Sequence, residues 1–180
     1  MKNFCIIANN QKDIEFELAE KICGIIRSKG GNCTIASRRM FDESIHDSPT
    51  DISLISPEME CALVIGGDGT IIQAAKDLHD FDIPLLGINL GTKGFMAEIE
   101  KQNIEDDICK LINNQYTVQD RLMIKGVIIS NNEPIFEDVA MNDIVVVRTG
   151  FSRIVSVNVY VNKEFVATYH GDGVIISTPS

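Results

Sequence analysis

The chain has 180 residues, of which 44% are hydrophobic, enough to bury a core in one large or two small domains. Sixteen Lys and Arg residues stand against 26 Asp and Glu residues, which gives a net charge of -10. This acidic balance argues against general nucleic-acid binding, because such binding depends on neutralising phosphates with many cationic side chains. A site for a phosphate-bearing ligand would have to be local, built from backbone amides, a few cations and a metal ion.

The five cysteines lie mostly in apolar runs and form no Cys-x-x-Cys pair, so they predict reduced core residues and no metal site. The first three residues lead straight into an apolar strand-like run, which predicts no signal peptide. No apolar run reaches transmembrane length. We therefore expect a soluble, cytoplasmic protein with no membrane partner.

The first 115 residues alternate between strand-like and helical patterns. Short apolar runs predict strands at 4–8, 33–36, 61–65 and 83–88, the first of them buried on both faces. Helical periodicity predicts helices at 13–29, 70–78 and 104–113, joined to the strands by loops such as the long connection at 38–60. The apolar face of the first helix is predicted to be Ile14, Leu18, Ile22, Ile25 and Ile26. This alternation predicts an open parallel, Rossmann-like α/β sheet, in which ligands bind at the carboxyl ends of the strands.

A glycine turn, defined here as Gly66–Thr70, follows the third predicted strand and precedes a predicted helix. Glycines allow a ligand to approach the backbone, and the amides at a helix start favour an anion such as phosphate. Asp68 is the ionisable residue of this turn. Its carboxylate could accept a proton from a hydroxyl, or hold a Mg²⁺ ion that a phosphate also touches. The alternative is a turn that only reverses the chain, since Asp-Gly is common in turns and neither the Walker nor the dinucleotide pattern is present.

After residue 115 the strand-like patterns continue without a strong helical one. Val155, Val157, Val159 and Val161 alternate with Ser156, Asn158 and Tyr160, which predicts a half-buried strand, and Asn162-Lys163 fits a hairpin turn. The strand-like segments are 116–130, 135–139, 144–148, 153–161, 164–169 and 174–176. We therefore predict two domains: an α/β domain at 1–115 that carries the glycine turn, and a β-sandwich-type domain at 116–180. The second domain is expected to be incomplete, because a two-layer β domain needs more strands to cover its edges.

Four separated segments resemble the NAD kinases, which make NADP from NAD and ATP. They are the glycine turn, the Asn-Leu-Gly-Thr-Lys-Gly-Phe segment at 89–95, the Asn-Asp pair at 142–143, and the segment Tyr169–Ser180 with its His-Gly-Asp-Gly sequence. The resemblance covers nearly the whole chain. In the family the last segment continues into further strands, so the resemblance implies that the C-terminal part of the second domain is missing. The chain is then expected to be either a piece of a longer protein or a naturally shortened relative. In both cases, residues 1–180 alone are not expected to be a competent enzyme.

The resemblance also implies roles for individual residues. Asp68 matches the catalytic aspartate, the base for the 2′-hydroxyl of the adenosine ribose of NAD, and Gly69 matches a backbone contact to the nucleotide. Asn142 and Asp143 match an Asn-Glu pair that binds NAD, with Asp here one methylene shorter than Glu. The alternative for this pair is a polar turn before a strand.

Four further matches concern nucleotide binding. Phe95 matches a residue near the adenine, or else it packs in the core. Arg153 matches a basic residue that holds the dinucleotide, or else it is a solvated charge at a strand end. His170 replaces the family's Arg or Lys, and a neutral imidazole would hold phosphate less firmly. Asp172 matches an acidic nucleotide contact, sometimes made across a subunit interface, or else belongs to a simple turn.

The activity implied by the resemblance is transfer of the γ-phosphoryl group of ATP, or of polyphosphate, to NAD. Mg²⁺ or another divalent metal is expected as cofactor, although no set of metal ligands is assigned. Homodimers or homotetramers are expected from the family. Two alternatives stay open: a lipid kinase of the diacylglycerol type, which shares the glycine turn, and a nucleotide-binding module without catalysis.

Overall fold

A computed structural model describes residues 1–37, 50–90, 96–150 and 154–179. The chain divides into two compact units, Met1–Asp120 and Arg121–Ser180. The domain boundary expected near residue 115 stays a prediction. The predicted fold class is confirmed, because the first unit is a parallel α/β sheet and the second consists of antiparallel strands.

The first unit is built on one five-stranded parallel sheet. Its strands are β1 (Asn3–Ala8), β2 (Asn32–Ile35), β3 (Cys61–Gly66), β4 (Leu85–Asn89) and β5 (Ala97–Glu100). Its described α-helices are α1 (Glu17–Ser28), α2 (Asp68–Asp77) and α3 (Ile104–Ile112), and short 3-10 turns lie at Ile14–Phe16, Ile52–Leu54 and Lys101–Asn103. The strand order is β2-β1-β3-β4-β5.

Alternate residues of the central strands point to opposite faces of the sheet, and both faces are buried, as predicted for the first strand. Phe4 and Ile6 pack in one hydrophobic cluster with residues of α1 and α3. Cys5 and Ile7 pack in a second cluster with Ile71 and other residues of α2. The sheet therefore has helices on both faces, and the helices that follow β1 and β3 lie on opposite sides of it.

This arrangement places a crevice between the carboxyl ends of β1 and β3. The chain leaves β1 toward β2 on one side, and it leaves β3 toward β4 on the other side. Open α/β sheets bind their ligands at such a point, where the direction of the strand order reverses. The backbone amide of Asn9, just after β1, donates to the carbonyl of Ile65 in β3 at 3.1 Å, so the two strand ends are held side by side.

The start of the first helix differs from the prediction. Glu15 and Phe16 have φ values of 54° and 60°, so the backbone leaves the helical path there and α1 begins only at Glu17. Ile14, predicted to face the core, is 72% exposed for this reason. The buried carboxylate of Asp13 accepts hydrogen bonds from the amides of Leu18 and Ala19, at 2.8 and 3.0 Å, and so anchors the first turn of α1.

Two features of the sheet were also predicted incompletely. Strand β4 begins at Leu85, two residues later than expected. Just before it, the carbonyl of Pro84 accepts a hydrogen bond from the backbone amide of Ala62. Strand β5 was not predicted, because four residues with a single buried apolar side chain, Ile99, give little periodic signal. It pairs with β4 and extends the parallel sheet at that edge.

The second unit contains three antiparallel strand pairs among its described residues. They are β6 (Ile124–Ser130) with β7 (Glu133–Ala140), β8 (Asp143–Val147) with β11 (Gly173–Ser177), and β9 (Val155–Val161) with β10 (Glu164–Gly171). Asn162 and Lys163 have φ values of 51° and 72°, which confirms the predicted hairpin turn. The alternation in β9 is confirmed from Val155 to Val159, while Val161 is exposed.

The buried hydrophobic residues of the described part of the chain all belong to the first unit. In the described part of the second unit, large apolar side chains such as Ile129, Val147, Phe165 and Ile175 are more than half exposed. In the described ranges, no helix combines the length and the apolar character needed to cross a membrane.

Candidate functional site

The glycine turn joins β3 directly to α2. Gly66 is the last residue of β3, Gly67 precedes the helix, and Asp68 is the first helical residue. The helix therefore begins two residues earlier than predicted, so Asp68 and Gly69 belong to its first turn. The first amides of a helix have no partner within the helix, and they carry the positive end of its dipole. The turn thus directs anion-favouring backbone groups into the crevice between β1 and β3.

Close packing explains why residue 66 of the turn is a glycine. A Cβ on Gly66 would lie 2.6 Å from the Cβ of Thr70, whose side chain is buried. Such a distance is too short for two carbon atoms, so a side chain at 66 would displace the first turn of α2. A Cβ on Gly69 would meet no atom within 4 Å, and its absence leaves the exposed surface of the turn open to a ligand.

Asp68 is half-buried, and a backbone hydrogen bond orients its carboxylate. The amide of Met96 donates to Asp68 Oδ1 at 3.2 Å. Met96 immediately precedes β5, so the start of α2 is linked to the chain segment that follows β4. A carboxylate held in this way beside open helix amides can accept a proton from a hydroxyl that lies next to a bound phosphate.

The loop after β1 brings a cation to the glycine turn. Lys12 Nζ lies 2.8 Å from the position that a Cβ on Gly67 would occupy. Lys12 was not predicted from the sequence, because one lysine in a polar loop produces no pattern. Its only available signal was its place directly after a buried strand, at the edge where parallel α/β sheets bind ligands.

In the second unit, Asn142 and Asp143 lie together at the start of β8. Both are exposed, and Asp143 is paired with Ser177 of β11. The carbonyl of Asn142 accepts hydrogen bonds from the amide of Thr178 at 2.8 Å and from its hydroxyl at 3.2 Å. These bonds fix the backbone of the pair and leave its side chains at the surface.

Asp172 lies at the opposite end of the same strand pair. Gly173, the next residue, is paired with Val147, whereas Asp143 is paired with Ser177. Asp172 lies one residue before this five-residue ladder, so at about 3.4 Å per residue it is separated from Asp143 by roughly 17 Å along the strands. The structure therefore does not bring these two predicted site residues together within one chain.

Asp172 is paired with Arg148, which was not among the predicted site residues. Arg148 Nε donates to Asp172 Oδ1 at 2.7 Å, and its backbone amide donates to the carbonyl of Asp172 at 3.0 Å. A third bond, from Arg148 Nη1 to the carbonyl of Gly150, holds the guanidinium in place. His170 lies in β10, with its Nδ1 2.9 Å from the hydroxyl of Ser156.

Two predicted site residues, Phe95 and Arg153, lie outside the described residues. In the described part of the chain, no group of three or more His, Cys, Asp and Glu side chains could hold a metal ion. Burial raises the pKa of Cys5 to about 11 and that of Cys61 to about 12, so both thiols stay protonated near neutral pH. This agrees with cysteines that serve as core residues.

Comparison with known proteins identifies a related family. The family model described as the ATP-NAD kinase N-terminal domain matches residues 4–116. This range contains the whole parallel sheet, the loop after β1 and the glycine turn.

Curated relatives cover the whole chain. An NAD kinase of Lachnoclostridium phytofermentans is 43% identical over 182 residues, which are 100% of this chain and 62% of that protein. An NAD kinase of Agathobacter rectalis is 42% identical over 180 residues, with 100% and 62% coverage. The chain thus spans less than two thirds of the length of these relatives. None of this favours the lipid kinase alternative.

A solved structure shares the fold. The crystal structure of yeast NADH kinase complexed with NADH matches with a TM-score of 0.68 and 17% sequence identity, over 98% of this chain and 57% of that one. At this identity the match concerns the fold, and it extends over the strands of both units.

Proposed function

Since this chain belongs to the ATP-NAD kinase family, we propose that it transfers the γ-phosphoryl group of ATP, or of polyphosphate, to the 2′-hydroxyl of the adenosine ribose of NAD. The relatives named NAD kinase that align with the whole chain support this proposal. The observation that carries it is the position of Asp68, a carboxylate at the first turn of α2 in the crevice of the sheet.

Asp68 acts in this proposal as the base for the acceptor hydroxyl. A secondary hydroxyl attacks phosphorus efficiently when a proton acceptor lies within hydrogen-bond reach. The hydrogen bond from the Met96 amide orients one carboxylate oxygen, which limits the ways in which Asp68 can meet the ribose. The amides of the first turn of α2, including that of Gly69, are suited to the negative charge of the phosphates.

The chain fits a Mg²⁺ ion that is shared with the substrate. Mg²⁺ is commonly held by one or two carboxylates together with substrate phosphates and water, and the described residues contain no larger cluster of ligands. Because Asp68 serves as the base in this proposal, such an ion would be held chiefly by the substrate phosphates and water. When bound, the ion neutralises part of the phosphate charge, which matters in a chain with a net charge of -10.

The second unit contributes residues for the dinucleotide. Asn142 and Asp143 would bind ribose and adenine groups, and His170, Asp172, Phe95 and Arg153 would contact the remainder of the nucleotide, as the family resemblance implies. Because Asp143 and Asp172 lie at opposite ends of the β8–β11 pair, contact of both with one small group would require a second subunit. A homodimer or homotetramer in the cytoplasm is part of this proposal, and the oligomer is what the family resemblance implies.

Replacing Asp68 tests the proposal. In the full-length protein, Asp68→Asn removes the proton acceptor with almost no change in shape, so turnover should fall by about 100-fold or more while NAD affinity stays nearly unchanged. NADP formation and NAD binding would be measured on the wild type, on this variant and on the control Asp80→Asn, which changes an exposed carboxylate. Normal turnover of Asp68→Asn would reject Asp68 as the base.

The outcome also separates catalysis from simple binding. NAD binding by the wild type without any NADP formation would favour the non-catalytic module over the kinase.

A further inference from the structure

Two loops from different strands meet at the crevice. The loop after β1 carries Lys12, and the glycine turn follows β3, the strand that lies beside β1 in the sheet. Because the two strands are parallel neighbours, their carboxyl ends emerge at the same edge. The approach of Lys12 Nζ to the open side of Gly67 therefore brings together residues that are far apart in the sequence.

The backbone around Lys12 is held by hydrogen bonds on both sides. The carbonyl of Asn9 accepts bonds from the amides of Lys12 and Asp13, at 2.9 and 2.8 Å, and Asn9 Oδ1 accepts from the amide of Gln11 at 2.9 Å. Beyond Lys12, the buried Asp13 carboxylate binds the start of α1. The loop is thus fixed at β3 on one side and at α1 on the other, so the position of the Lys12 backbone is set by the fold.

The charges near Lys12 suit an anion. The Lys12 side chain is exposed and forms none of the ion pairs found among the described residues. Its ammonium group lies over Gly67, immediately before the first turn of α2, where open amides and the helix dipole already favour negative charge. A lysine ammonium binds phosphate as a point charge.

We propose that Lys12 binds the phosphate chain of the phosphoryl donor, together with the amides of the glycine turn. This inference rests on the proposed function, and it adds a substrate-binding residue from the β1–α1 loop to the β3–α2 turn. Lys12 and Asp68 then have complementary tasks: Lys12 contacts the donor, and Asp68 contacts the acceptor hydroxyl. The donor chemistry recognised is a polyanionic chain of phosphates, whether it belongs to ATP or to inorganic polyphosphate.

The kinetic test separates donor from acceptor. In the full-length protein, Lys12→Gln should raise the KM for ATP by about 10- to 100-fold, the usual loss for a hydrogen bond to a charged group, and change the KM for NAD by less than about twofold. Lys12→Arg keeps the charge and should restore most of the ATP affinity. Lys29→Gln is the matched control, because Lys29 is an exposed lysine at the far end of α1.

A second measurement tests the role of Lys12 by ligand binding, without enzyme turnover. Binding of inorganic tripolyphosphate would be titrated by calorimetry for the wild type, Lys12→Gln and Lys29→Gln, after thermal melts have shown that all three fold alike. We expect weaker binding, by about 10-fold or more, for Lys12→Gln alone.

The two hypotheses fail in different ways. Absence of NADP formation by the wild type would reject the proposed function, and the tripolyphosphate titration would then decide on Lys12. An active wild type, with an unchanged KM for ATP and unchanged tripolyphosphate affinity in Lys12→Gln, would overturn the role of Lys12 and leave the proposed function intact.

Discussion

Gly66 and Gly69 belong to the same turn, but only Gly66 lacks room for a side chain. In Gly66→Ala the new methyl group would meet the buried side chain of Thr70, so we expect the free energy of unfolding to fall by about 1–3 kcal/mol. Gly69→Ala is the control, because its Cβ meets nothing within 4 Å and its φ is not positive. It should leave stability unchanged or raise it by up to about 1 kcal/mol. Urea denaturation of the full-length protein measures both, and equal losses would contradict this account of the turn.

The same turn shows which site residues can be predicted from the sequence before the structure is known. Asp68 could be predicted as a candidate from sequence, because a carboxylate between glycines, after a strand and before a helix, lies where parallel α/β sheets bind ligands. Lys12 could not be predicted as a candidate, since its position beside the glycine turn depends on β1 and β3 being neighbours, and these strands are not consecutive in the chain. Arg148 was missed for a similar reason, because its partner Asp172 lies on another strand.

At the scale of elements, the β8–β11 pair depends on a close approach of two backbones. A Cβ on Gly173 would lie 2.9 Å from the Cα of Val147 and still closer to the carbonyl oxygen of Val146, so β8 would have to move. We expect Gly173→Ala to lower the free energy of unfolding by about 1–3 kcal/mol and to weaken NAD binding, because Asp172 and Asp143 stand at the two ends of this pair.

Gly171→Ala is the matched control, because the nearest atom to its Cβ would be the carbonyl oxygen of Gly173 at an ordinary 3.9 Å. Chemical denaturation and NAD titration would be carried out on both variants. A Gly173→Ala protein as stable as Gly171→Ala would contradict the backbone packing inferred for this pair.

The predictions of strands and helices were correct where hydrophobic periodicity was strong, and they were wrong where tertiary contacts determine the backbone conformation. The apolar runs located β1 and β3 closely, because a strand buried on both faces leaves no polar position. The predicted start of α1 was wrong, because the positive φ values at Glu15 and Phe16 do not change the pattern of apolar residues in the sequence. Strand β5 is defined by its pairing with β4, and short-range patterns of apolar residues do not predict such pairing.

At the scale of the whole molecule, the sequence predicted the change from α/β to antiparallel β but not the strand order. Alternating strands and helices are compatible with several parallel orders, and the order β2-β1-β3-β4-β5 is what creates the crevice beside β1. Because the net charge of the chain is -10, the groups that line this crevice matter for phosphate binding. An acidic chain attracts phosphates only where amides and a cation such as Lys12 are gathered locally.

The most direct test of the central claim is an assay of NADP formation by the full-length protein with NAD, ATP and Mg²⁺. A dehydrogenase specific for NADP would report the product, and omission of ATP would serve as the blank. The account predicts steady NADP production, with the new phosphate on the 2′-hydroxyl of the adenosine ribose. A folded protein that binds NAD but yields no NADP above the blank would contradict it.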